Sequence, residues 1–307
     1  MDKQLTKTDL AFVLGFLFTL IVGVGAFLYG VKVGAERTEA KYAAELKAAQ
    51  AAAADSILAY QQQDLVSFYH TVFLPYREFS TEWLTVRGKW LAGETSDLAA
   101  SLKELARAAE RKYDAVKGTH VPLASPLLKE ARDGYLNSLR LFAGSFSGLV
   151  SQAKSHDAFR LLEIVESDET YRSGVRSALH AQQAYYGAMM KWGATLDPDI
   201  PEEYDPPAKL GTADWTGLPL LVKNKITADY LARRGAFDDF LPQDLTAKID
   251  SLIQTGRAGQ LNLHTFQSVA ELLTGTEAVR AGDFLALKAQ LYGDELLPQL
   301  PFFSPGG

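Results

Sequence analysis

The chain opens on a stretch with almost no polarity. From Leu10 to Val31 it reads LAFVLGFLFTLIVGVGAFLYGV, and the only polar side chains are Thr19 and the Tyr29 hydroxyl. About 20 apolar residues suffice to cross the hydrocarbon core of a bilayer as a helix. A surface helix of a globular protein keeps a polar face, and this run has none. The pattern predicts a transmembrane helix over residues 10–33, after a short tail at 1–9. A cleaved signal peptide is the alternative, with Val24-Gly25-Ala26 as its small-residue site. Its apolar region would normally extend for only about 7–15 residues. Phe27, Leu28, Tyr29, Val31 and Val33 carry the apolar pattern past that site, which favours an uncleaved anchor.

Small residues recur inside the run. Ala11, Gly15, Thr19 and Gly23 are spaced by four, as are Ala26, Gly30 and Gly34. At 3.6 residues per turn the two series overlap on one helix face, where small side chains let backbones approach closely. This predicts a packing face for a second copy or another membrane protein, although Phe12 and Phe16 lie on or beside it. The same glycines do not make a dinucleotide loop: after Gly23 and Gly25, Leu28 stands where the third glycine is needed, and no strand precedes them. For orientation, Lys32, Arg37, Lys41 and Lys47 outnumber Lys3 and Lys7, yet the amino terminus and those two lysines resist export of the tail. The expectation adopted is a cytoplasmic tail and an extracytoplasmic body at the cell membrane.

Beyond the span the period becomes helical. Tyr42, Leu46, Ala49, Ala53, Ile57, Tyr60, Leu65, Phe68 and Val72 form an apolar seam, without proline before Pro75. The span and this stalk are therefore predicted to be one long helix. Ser96 reads as the cap of a helix with Leu98, Leu102, Leu105, Ala109, Tyr113 and Val116 on one face, stopping at Gly118. Ser125-Pro126 opens the next, lined by Leu128, Ala131, Tyr135, Leu139, Phe142, Phe146 and Leu149. A last seam runs from Leu161 to Trp192, interrupted by Asp168 and Gln182.

Residues 34–195 thus read as a stalk and an up-down helical bundle. The stretch 196–213, LDPDIPEEYDPPAKLGTA, reads as a proline- and acid-rich linker. A smaller helical module is predicted over 214–303, with helices at Leu218–Arg234, Gln243–Thr255, Leu263–Leu273 (capped by Asn262) and Thr276–Leu291. No stretch alternates as a strand would, so the fold class is all-α.

Composition narrows the chemistry. The absence of cysteine excludes disulfides, thiolate metal sites and thiol nucleophiles. With 31 basic and 37 acidic residues interspersed and a net charge of -6, there is no basic stripe for nucleic acid. None of the five histidines has a second histidine four residues away or a glutamate three residues before it, the spacings that place metal ligands on one helix face. Glu163, Glu166 and Glu169, near Asp157 and Asp168, could hold a cation but read first as a solvated face balanced by Arg160 and Arg172.

No nucleophile elbow, phosphate loop or kinase motif is present, and no cofactor is expected. Lys223, Lys225, Arg233 and Arg234 form the densest basic cluster and are a candidate partner-docking surface. These observations point to a non-enzymatic, single-pass membrane protein acting as a scaffold or binding module of the cell envelope. The alternatives are a sensory bundle signalling through its membrane helix and a membrane-tethered enzyme.

Overall fold

The computed structural model describes residues 59–293 and 295–304. The predicted span, its packing face from Ala11 to Gly34, and most of the stalk lie outside the described residues. Among the described residues no helix is long and apolar enough to cross a membrane. These residues are helical throughout apart from turns and loops, and the only β-type pairing among them is an isolated bridge between Gly211 and Thr265.

The first helix is not the smooth rod that the seam predicted. Ala59 and Tyr60 form a turn, and Tyr60 has a left-handed φ of 54°. The helix α1 starts only at Gln62 and runs Gln62–Phe68. It passes through a π-helical turn, Tyr69–Phe73, into α2, Leu74–Leu91, which the sequence reading left unassigned. The reason is Pro75. A proline inside an α-helix has no N–H to donate, and its ring clashes with the carbonyl one turn back. Here Leu74 N–H donates to the carbonyl of Tyr69, five residues earlier, and the wider turn gives the ring room. The proline therefore does not end the helix, which runs on to Leu91.

Three further long helices follow: α3, Leu98–Lys117; α4, Pro126–Leu149; and, after the short α5, Ala158–Ser167, the helix α6, Glu169–Ala194. Asp97, not Ser96, caps α3, its carboxylate accepting from Ala100 N–H. Asp168, read from sequence as an interruption, is the N-cap of α6 and splits the last seam into two helices. Cross-helix contacts fix the directions. Trp90 meets Ser101 while Glu78 meets Lys112. Gly134 faces Ala181 while Asn137 meets Ser177, and Leu65 meets Tyr185 while Trp83 meets Tyr171. In each pair of helices one number rises as the other falls, so these neighbours are antiparallel and the bundle is up-down.

The bundle core is aromatic. Phe142 stacks on Phe146 at 5.9 Å, Trp83 lies 5.0 Å from Phe146, and Trp83 Nε1 donates to Tyr171 OH at 3.1 Å. Burial pushes the Tyr171 hydroxyl up to about 12, and the hydrogen bond from Trp83 acts in the opposite direction. At Gly134 the helices α4 and α6 approach closely. A Cβ there would sit 3.0 Å from Ala181 Cβ and 3.2 Å from the carbonyl oxygen of Ser177.

The 196–213 stretch runs into α7, Thr212–Thr216, and then come α8, Leu220–Arg234; α9, Pro242–Gln254; α10, Arg257–Gln260; α11, Phe266–Gly275; and α12, Asp283–Leu291. Thr265, not Asn262, caps α11, and residues 276–282 form turns ahead of a short α12 in place of the predicted helix from Thr276. Residues 58–307 constitute one compact unit with a continuous core. Ile200 and Leu210, in the proline-rich stretch, are buried in it. Phe302 packs on Tyr69, Phe73 and Tyr185 of the bundle, and Phe303 is fully buried against Phe284.

Candidate functional site

The four residues of the basic cluster do not form a common surface. Lys223 is 7% exposed, with its ammonium 3.2 Å from both oxygens of Asp250. Lys225 pairs with Asp229 at 2.6 Å, and Arg234 with Asp238 at 2.6 Å. Arg233 is exposed and makes no ion pair or hydrogen bond among the described residues. Spacing alone placed these charges together; their partners, one of them 27 positions away, take two of the four largely out of solvent.

Arg233 and Arg234 do line a groove of 680 Å³, within the range of small-ligand sites. From α8 come Ile226, Tyr230, Arg233 and Arg234, at i, i+4, i+7 and i+8. From α11 come Gln267, Glu271, Thr274 and Gly275, with the same spacing. Residues so spaced share one face of a helix, so each helix offers one stripe to the groove. The third wall is the segment Asp205–Ala208, containing Pro206 and Pro207.

The walls are fixed before anything binds. Gln267 donates from Nε2 to the Ala208 carbonyl and accepts from Leu210 N–H, both at 3.3 Å. Phe266 N–H donates to the Leu210 carbonyl at 2.8 Å, and Thr212 N–H to that of His264 at 3.0 Å. Tyr230 is held at 3.4 Å from Thr274 Oγ1 and lies edge-on to Phe266. The groove has an apolar floor supplied by Tyr230, with the buried Ile226 beneath. Its charged rim carries Arg233 on one side and Glu271 and Asp205 on the others, and none of these three has an ion-pair partner among the described residues.

Other polar clusters have structural roles. Asp250 accepts from Trp215 Nε1 at 2.6 Å, from Lys223, and from Tyr292 OH at 2.6 Å, so its lone pairs are largely taken up. Burial, then the charge of Asp250, pushes Tyr292 far above the ordinary phenol range. This knot ties α8 and α9 to the segment after α12 and leaves no oxygen free for acid–base work. Glu163, Glu166 and Glu169 are separately paired with Arg160, Arg87 and Arg176. A cavity beneath the 236–241 loop, beside Tyr76, Tyr135 and Gln182, has only 40 Å³, room for a few waters at most.

Sequence reasoning found half of the α8 stripe and missed the α11 stripe. The i, i+4, i+7, i+8 spacing of Gln267, Glu271, Thr274 and Gly275 was the available signal, but a polar stripe on a helix ordinarily faces solvent. Comparison of the chain with protein-family models, with curated proteins and with solved structures yields no match.

Proposed function

We propose that the chain is a membrane-anchored, non-enzymatic helical binding module of the cell envelope. It is held by one transmembrane helix over residues 10–33, with the helical body on the extracytoplasmic side. The observation that carries this reading is the run from Leu10 to Val31, whose only polar side chains are Thr19 and the Tyr29 hydroxyl. The body adds support of a different kind. Its part-buried carboxylate Asp250 and the three spaced glutamates are committed to pairs within the fold, while a groove of 680 Å³ is preformed. Ala11, Gly15, Thr19, Gly23, Ala26, Gly30 and Gly34 would face a second copy or another membrane helix.

Two measurements test it. Carbonate-washed membranes should retain the full chain, and release into the soluble fraction would refute the anchor. Protease added to intact cells should degrade the body; full protection would reverse the orientation. For the packing face, replacing Gly23, Gly30 and Gly34 by leucine should weaken crosslinking between copies in membranes, and unchanged crosslinking would remove it.

A further inference from the structure

We infer that the groove between α8, α11 and the Asp205–Ala208 wall binds a short extended peptide that carries both a carboxylate and an ammonium group. The inference rests on the binding-module reading and not on the membrane anchor. Three features lead to it. First, the groove is preformed: hydrogen bonds from Gln267 hold the proline wall and Thr274 positions the floor tyrosine, so little ordering cost falls on binding. Second, the charges on its rim are opposite in sign and do not meet. Arg233 on α8 and Glu271 on α11 line the same groove, yet no ion pair joins them or joins either to another described residue. A ligand with complementary ends can satisfy both across the gap, whereas a purely anionic ligand would face Glu271 and Asp205. Third, the size is suitable: 680 Å³ lies in the range that takes a drug-sized ligand, which a tripeptide is. Its central apolar side chain would lie on Tyr230, its carboxylate toward Arg233 and its ammonium toward Glu271.

The test uses the full chain in detergent micelles and the tripeptide Ala-Leu-Ala in three forms: with free ends, N-acetylated, and C-amidated. Binding is followed by saturation-transfer NMR and calorimetry. The free form should bind saturably, and each blocked form should bind about fivefold more weakly, the upper end of what one exposed ion pair supplies. In Arg233→Gln the amidated and free forms should bind alike; in Glu271→Gln the acetylated and free forms should. Both positions are exposed, so the melting temperature should hold and serve as the folding control. Equal binding of all three forms to the unmodified protein would overturn the inference. So would absence of saturable binding by the free form up to about 10 mM, where a weak specific site would already be filled. Loss of membrane anchoring would leave these titrations unchanged, so the two readings fail separately.

Discussion

A single methyl group tests the packing of the bundle. Gly134 and Gly144 both lie in α4, but their surroundings differ. A Cβ on Gly144 would meet nothing within 4 Å, whereas one on Gly134 would press on Ala181 Cβ at 3.0 Å and the Ser177 carbonyl oxygen at 3.2 Å. Alanine in place of a helical glycine gains about 1 kcal/mol from backbone entropy and propensity. That gain should appear in full for Gly144→Ala. At Gly134 the opposing atoms belong to the α6 backbone or to the first carbon of a side chain, and no rotamer change can move them away. Overpacking of this kind costs about 1–3 kcal/mol. The net effect of Gly134→Ala then runs from neutral to about 2 kcal/mol destabilising, and the two variants should differ by about 1–3 kcal/mol. The four tryptophans, Trp83, Trp90, Trp192 and Trp215, are all buried, so fluorescence reports the urea transition directly. At about 3 °C per kcal/mol, the melting temperatures should separate by roughly 3–9 °C. If Gly134→Ala stabilises the protein as much as Gly144→Ala, α4 and α6 do not meet in this register and the antiparallel pairing is wrong.

Three further outcomes follow from buried or part-buried groups. Asp250→Ala strands Lys223 without its carboxylate and should cost about 3–5 kcal/mol; adding Lys223→Met should recover part of it, and a purely additive loss in urea titrations would refute the coupling. Asp238 is raised above 3.8 by burial, against which Arg234 acts, so its stabilising contribution is complete below 3.8 and is lost as pH rises through the raised value. Asp238→Asn should therefore gain relative to the parent between about pH 3 and about pH 7, and a relative loss over that interval would contradict the sign. Phe303→Ala, at a fully buried position, should cost about 3–5 kcal/mol by thermal or urea melting, whereas less than about 1 kcal/mol would mean that the tail does not complete the core.

The helical seams were legible because burial in a bundle imposes a 3.6-residue period that survives in one sequence. Leu102, Leu105, Ala109 and Val116 in α3, and Leu128, Ala131, Tyr135 and Leu139 in α4, are all buried as their spacing required. The misreadings came where one residue has two physical uses. Proline normally stops a helix, and the π-helical turn before Pro75 lets the helix run through it. Asp168 breaks an apolar seam in the sequence because it caps a new helix. Lys223 reads as surface charge until Asp250, far along the chain, is placed beside it. The groove was the least legible feature. Its proline wall has the composition of a linker, and the α11 stripe looks like any solvated helix face; only the folded arrangement sets both opposite Arg233.

The turn at Tyr60 has a mechanical consequence. Its N–H donates to Ser125 Oγ at 3.0 Å, and its hydroxyl accepts from Leu127 N–H at 3.3 Å. The chain is thus fastened to the start of α4 just before it enters α1. Tension or torque applied ahead of residue 59 is shared at once between α1 and a helix more than sixty positions downstream. Peeling the first helix away therefore requires the two Tyr60 bonds to yield along with the contacts of α1 itself.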